Sequence, residues 1–333
     1  MSEKIKFYDV SLRDGNHALR HQLPADFAKR YAALSSRTQT WALEVGHGNG
    51  LGGSSHLVGK SAETDHSLLQ AARSSLPDGR LAVHLIPGFA TISRDVNPAV
   101  QLGVDVFRVA AHASEADVCQ SHIEHPAALD VAVHGVLMMS HTVSWETLVA
   151  QALKLVEFGA RAVVIMDSAG HYRPNDVASR VRALVDATGV EIGFHAHNNL
   201  GMATANALAA IEAGATIIDV SSRGLGAGAG NLPFELIALA MRLDKTDPTE
   251  LKKILNLADL VTESFSDFMP QISASSIRSG LLGVFSGYAP QISQLSEEFG
   301  ISAERLWVSA ASRNLVAGQE SMLREIAEDL ANL

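Results

Sequence analysis

The sequence predicts an α/β protein, a (β/α)8 barrel followed by a helical C-terminal extension. Three observations support this. Eight short apolar, β-branched runs recur over roughly 240 residues, the closing number of such a barrel. Between them lie stretches of helical periodicity, such as Trp145–Phe158, Pro174–Ala187 and Met202–Ala213. Three of the joints carry a glycine, Gly103, Gly159 and Gly214, where a helix would end in the left-handed conformation before the next strand. A doubly wound open sheet uses the same units. It would gather its polar residues at one crevice, whereas here they follow many strand ends.

The runs, in order, are Ile5–Val10, Trp41–Val45, Leu81–Ile86, Val104–Ala110, Val131–Met139, Arg161–Met166, Glu191–His197 and Thr216–Val220. The first is followed by Arg13-Asp14-Gly15-Asn16-His17, the second by Gly46-His47-Gly48-Asn49-Gly50. The fourth brings Arg108 and His112, the fifth Ser140-His141, the sixth Asp167-Ser168-Ala169-Gly170-His171. The seventh carries His195-Ala196-His197-Asn198-Asn199, and the eighth ends in Ser221-Ser222-Arg223. A barrel places its chemistry at the C-terminal ends of its strands, where these groups fall. Beyond about Arg242 the strand units stop, and Pro248–Phe268, Ser293–Glu298 and Glu304–Leu333 read as helices. Residues 1–245 are therefore expected to form the catalytic barrel and 246–333 the extension. That extension either packs under the barrel or offers a docking surface for a partner.

Composition narrows the function. The 333 residues carry a formal net charge of -10, with no basic run to bind nucleic acid or an anionic membrane. The single cysteine, Cys119, excludes a disulfide framework and a cysteine-rich zinc site. No apolar run reaches membrane-spanning length, and Met1–Lys6 lacks the core of a signal peptide, so a cytoplasmic protein is expected. The 14 histidines all lie between His17 and His197, which points to chemistry in the barrel.

His195 and His197 stand two apart on a strand and so share a face. Asp14, at the end of the first strand, can reach the barrel axis with them. Two imidazoles and a carboxylate suit Mn2+, Mg2+, Zn2+ or Fe2+, and the lack of thiolate favours Mn2+ or Mg2+. Such an ion can bind a 2-oxo acid and stabilise its enolate. Arg13 either stabilises an oxyanion beside the metal or forms a structural ion pair. His17 is a candidate general base, or an exposed loop residue. Ser168 either positions substrate or caps the following helix. The glycine-rich stretches Gly46–Gly53 and Gly224–Asn231 are poor dinucleotide fingerprints. None of the lysines lies in strands two to eight, which argues against imine catalysis and for a metal enolate. His21, His56, His66, His122, His125 and His134 fall outside this proposed site, and His47, His112 and His141 take no assignment.

Ser11-Leu12-Arg13-Asp14-Gly15-Asn16-His17-Ala18 and His195-Ala196-His197-Asn198-Asn199-Leu200-Gly201 resemble the opening and metal motifs of the aldolase and lyase TIM barrels that include isopropylmalate synthase. The runs Gly46–Ser55, Glu115-Ala116-Asp117, Leu137-Met138-Met139-Ser140-His141 and Gly226-Ala227-Gly228-Ala229-Gly230-Asn231 are similar to those of the 4-hydroxy-2-oxovalerate aldolase family. The resemblance implies that Asp14, His195 and His197 hold Mn2+, Arg13 stabilises the pyruvate enolate and His17 takes the 4-hydroxyl proton. Retro-aldol cleavage of a 4-hydroxy-2-oxo acid, in aromatic-compound catabolism, would then release pyruvate and an aldehyde. It also implies an oligomer whose extension docks an acylating aldehyde dehydrogenase.

The chain departs from that family at three places. Phe285 stands at the position of a functional tyrosine, and Tyr288, one helical turn on, either substitutes for it or merely packs. His84 enters the aliphatic run, ending at Ile86, that lines the aldehyde pocket. His171-Tyr172 adds bulk after strand six. These departures suggest a changed aldehyde partner. Competing readings are a Claisen-type acyltransferase like isopropylmalate or homocitrate synthase, and a non-catalytic scaffold homologue.

Overall fold

The computed structural model describes residues 5–241, 248–316 and 319–332. Eight parallel strands close into a barrel in sequence order: β1 Lys6–Leu12, β2 Thr40–Val45, β3 Arg80–Leu85, β4 Val106–His112, β5 Ala132–Met138, β6 Ala162–Asp167, β7 Glu191–Ala196 and β8 Ile217–Val220. β1 pairs with β8 and completes the ring. Each of the expected strands is present. Gly103, Gly159 and Gly214 all sit at positive φ, between +78° and +107° or just beyond at +109°, where a side chain would be strained.

The strands alternate. Phe7, Leu43, Val83, Phe107, Val109, Phe194 and Ile218 face the helices and join the main core. Tyr8, Ala42, Ala82, Val106, Ala110, Val136, Val164 and Ile217 form a second cluster inside the barrel. The interior is not purely aliphatic. Glu44, His84, Arg108, His134, His195 and Asp219 share this inward phase and are all buried.

The helix Pro248–Phe265, assigned to the extension in the sequence reading, packs on the barrel. Ile254, Leu257 and Val261 belong to the main core, and the Phe265 ring meets that of Phe27 at 4.5 Å in a tilted pair. The boundary between 245 and 246 lies outside the described residues. A separate core joins Val284, Ile292, Leu306, Trp307, Leu323 and Ile326 across the helices Ala289–Phe299, Ala303–Ser312 and Glu320–Ala331. The expected single helix from Glu304 is thus two, because Asn314 turns left-handed at φ 51°. Periodicity did not reveal the helix Ala274–Leu282, which starts with a Ser273 cap and ends at Gly283. No described helix is long and apolar enough to cross a membrane.

Candidate active site

β1 ends at Leu12, and a tight turn into the short helix Gly15–Ala18 presents both Arg13 and Asp14 at the barrel mouth. β7 brings His195 and His197 to the same point. One donor atom from each of Asp14, His195 and His197 lies within 4.8 Å of the others, and all three side chains are buried.

The hydrogen bonds around this trio support a cation. His195 Nδ1 donates to Asp219 Oδ2 at 2.8 Å. This fixes the ring so that Nε2 presents its lone pair. That atom faces His197 Nε2 at 3.3 Å and lies 4.0 Å from Asp14 Oδ2. Burial opposes the charge on Asp14, but the neighbouring Arg13 and the histidines outweigh it and hold the carboxyl well below its usual range. Burial pulls His197 down to about 4, so its ring is a neutral ligand at pH 7. Around the trio, the guanidiniums of Arg13 and Arg108 stand against the carboxylates of Asp14, Glu44 and Asp219. A divalent cation reverses this excess of negative charge and prepares the site for an anionic ligand. The residues fit a metal ion.

Arg13 donates from Nε to Glu44 Oε1 at 2.5 Å and from Nη1 to Asp14 Oδ2 at 2.5 Å. Its buried Nη2 has no partner among the described residues. Asp14 Oδ1 accepts from Ala227 N at 3.1 Å and Asn231 Nδ2 at 3.0 Å, so the glycine-rich stretch after β8 closes over the carboxylate. The buried Oδ1 of Asn231 is also without a described partner.

A cavity of about 380 Å3 opens from this centre. Arg13, Asp14, His17, His84 and His197 contribute polar groups to its lining. Ile86, Phe89, Met138, Met139, Met166 and Phe285 contribute apolar ones, and Ser168 also lines it. Burial, aided by Arg13, pulls His17 down to about 4 against the opposing charge of Asp14, leaving a neutral imidazole. The glycine loop after β2 is built around that ring. A Cβ on Gly48 would come within 2.7 Å of His17, and one on Gly50, at φ +85°, within 2.3 Å of the His84 carbonyl. His84 is buried, and its Nδ1 has no described partner. Burial and the nearby Arg13 hold its ring neutral. Ser168 Oγ accepts from Met139 N at 2.9 Å while lining the cavity. Its neighbour Asp167 caps the following turn by accepting from His171 N and Tyr172 N.

Tyr288 requires a correction. It does not reach the cavity. It closes the short 3-10 turn Ser286–Tyr288, and its hydroxyl donates to the Val316 carbonyl inside the C-terminal core. The ring packs behind Phe285 at 5.7 Å, and it is Phe285 that faces the cavity. Asn199 anchors this wall by donating to Ser276 O at 3.1 Å and Ser286 Oγ at 2.7 Å. His141 donates to Gly283 O at 2.8 Å and His171 to Gly280 O at 2.6 Å.

Other functional neighbours escaped the sequence reading. His21, read as outside the site, meets His17 edge-on at 5.1 Å and stacks on His47 at 3.7 Å. Glu44 and Asp219, which hold Arg13 and His195, could have been found as lone charges in otherwise apolar strands.

Residues 4–261 match the family described as HMGL-like, and residues 270–332 match the DmpG-like communication domain. The 4-hydroxy-2-oxovalerate aldolase of Pectobacterium atrosepticum is 45% identical over 332 residues, covering 99% of this chain and 97% of its own. The enzyme of the same name from Spirochaeta aurantia is 46% identical over 323 residues, covering 97% and 95%. Among solved structures, the carboxyl transferase domain of Rhizobium etli pyruvate carboxylase superposes with a TM-score of 0.80 at 17% identity. The match spans 99% of this chain and 60% of that one, a likeness of fold alone.

Proposed function

The chain belongs to the HMGL-like family and, within it, to the 4-hydroxy-2-oxovalerate aldolases, and on that footing we propose how its residues divide the work. The enzyme is a carbon–carbon lyase that cleaves a 4-hydroxy-2-oxo acid to pyruvate and an aldehyde. The observation that carries the assignment of roles is the convergence of Asp14, His195 and His197 beside Arg13, with Arg13, Asp14 and His197 lining one cavity.

Asp14, His195 and His197 hold the divalent ion, Mn2+ by preference or Mg2+. When bound, that ion supplies Lewis-acid polarisation of the substrate's 2-oxo group. Arg13, steadied by Glu44 and Asp14, donates its spare Nη2 to the oxygen on which negative charge develops. His17, neutral at pH 7, removes the proton from the 4-hydroxyl. The C3–C4 bond then breaks, its electron pair moves into the pyruvate enolate, the aldehyde leaves, and one proton, balancing the one that His17 took, is delivered to C3 to give pyruvate. The apolar lining residues Ile86, Met138, Met139 and Phe285 receive the aldehyde and exclude water.

His84 and Phe285 alter the aldehyde subsite. The first adds an unpartnered polar atom, and the second has no hydroxyl to offer. We assign them a changed aldehyde preference. The match to a communication domain supports docking of an aldehyde dehydrogenase on the C-terminal helices. The protein is proposed to work in the cytoplasm, as an oligomer, in aromatic-compound breakdown.

The test is pyruvate release from 4-hydroxy-2-oxo acids of graded chain length and polarity, before and after chelation and Mn2+ return. Activity should vanish with chelation and recover with Mn2+. His84→Leu should shift the ratio of kcat/KM between polar and apolar substrates by about tenfold, the worth of one hydrogen bond. Cleavage of 4-hydroxy-2-oxopentanoate at ordinary aldolase rates, with no response to His84→Leu, would remove the claim of altered preference. Tyr288→Phe is expected to cost about 1–2 kcal/mol in thermal or denaturant unfolding, since the Val316 carbonyl loses its donor. Its kcat should stay within about twofold of the parent, and a large loss of kcat would return Tyr288 to the reaction.

A further inference from the structure

The interior of a (β/α)8 barrel is ordinarily filled by layers of branched aliphatic side chains. Here a guanidinium occupies the middle. Arg108 projects inward from β4, with no exposed surface, level with His84 on β3. Its Nη1 donates to Glu44 Oε2 at 2.7 Å, and its Nη2 to Asp219 Oδ2 at 2.7 Å. Both acceptors already hold a site residue. Glu44 Oε1 takes Arg13 Nε, and the same Oδ2 of Asp219 takes His195 Nδ1. The Tyr8 ring lies 5.1 Å from the guanidinium and backs it.

Removing these charges from water is costly, and well-packed apolar residues commonly serve stability as well or better. The cluster therefore calls for another reason, which its connectivity supplies. It forms one continuous chain, from Asp14 through Arg13, Glu44, Arg108 and Asp219 to His195, and Arg108 is the member that spans the two halves.

We propose that Arg108 is a positioning residue that ties the candidate metal ligand His195 to the substrate-facing Arg13, through Asp219 and Glu44. This rests on the roles given above to Arg13 and the metal trio. The fork sets the azimuth of His195 and the direction of Arg13 together. A lysine, a point charge with no planar fork, can reach one carboxylate but cannot fix both.

The test uses full-length protein stripped of metal by chelation. Mn2+ alone is titrated by calorimetry, followed by steady-state kinetics on the reloaded enzyme. Arg108→Lys should bind Mn2+ about tenfold more weakly, the lower end for loss of an outer partner of a ligand. Its kcat should fall by a larger factor than its KM rises, because Arg13 acts on developing charge. Asp219→Asn should weaken Mn2+ binding by about 10–100-fold. Adding Arg108→Lys to it should weaken Mn2+ by less than the product of the two single losses, because the arginine reaches His195 through that carboxylate and keeps only the route through Glu44 and Arg13 to Asp14.

If Arg108→Lys does not fold, Glu44→Gln, of equal volume, takes its place. It should lower Mn2+ affinity and kcat although Glu44 contacts no member of the metal trio except through arginine. A variant with a lowered melting temperature but parental Mn2+ affinity and kcat overturns the proposal and leaves Arg108 a part of the scaffold. A parent protein that takes up no Mn2+ overturns the metal reading itself, a result distinguishable from the first.

Discussion

Asp14→Asn is expected to abolish tight Mn2+ uptake and to lower kcat/KM by about 10^3-fold or more. Asparagine keeps the shape of the side chain and an oxygen that can still accept from Ala227 and Asn231. The substitution therefore isolates the charge. That charge is the only carboxylate in the Asp14, His195 and His197 trio, and it is the anion on which Arg13 Nη1 rests. Lewis-acid stabilisation of an enolate contributes several kcal/mol, and about 4 kcal/mol corresponds to the stated loss. Metal content after dialysis, Mn2+ calorimetry and pyruvate release measure it, with circular dichroism as the check of fold. An Asp14→Asn protein that retains stoichiometric Mn2+ and parental turnover would remove Asp14 from the ligand set.

Arg13→Lys should lower kcat by about 10^2–10^3-fold, the usual loss when one preorganised donor to a developing oxyanion is removed. KM should change much less. The buried guanidinium uses Nε on Glu44 and Nη1 on Asp14 and the Gly48 carbonyl, and keeps Nη2 spare. An ammonium cannot satisfy these partners and still present a donor at a fixed place. The fold should survive, because Glu44 keeps Arg108 as its second partner. A variant with unchanged kcat and raised KM would show that Arg13 binds substrate and transition state alike.

Much of this was legible in the sequence, and the limits have physical causes. The barrel followed from the recurrence of strand, helix and glycine, because each unit announces itself locally. Asp14, His195 and His197 could be brought together because strand ends meet at one mouth in a closed barrel. The links among Glu44, Arg108 and Asp219 depend on how strands two, four and eight face each other across the interior, which no local pattern states. Their trace was a single charge set in each of three apolar strands, Trp41-Ala42-Leu43-Glu44-Val45, Val106-Phe107-Arg108-Val109 and Ile217-Ile218-Asp219-Val220. Tyr288 misled because one helical turn was assumed between it and Phe285. The chain makes a 3-10 turn there, and the next helix begins with Tyr288 pointed into its own core. His47 looked unremarkable because its stacking on His21 joins two loops distant in sequence, whereas His21 lies only four residues from His17 and could have been placed beside it.

The wall that Phe285 lends to the cavity sets a rule for recombining such enzymes. The barrel supplies the reacting groups, but one side of the chamber comes from the segment after the helix Ala274–Leu282, held by Asn199, two positions beyond His197. A chimera that exchanges only the C-terminal helices would meet a foreign latch and reshape the chamber. The loop around Asn199 and the Ser276–Ser286 segment form a single inheritable cassette, and they should be grafted together.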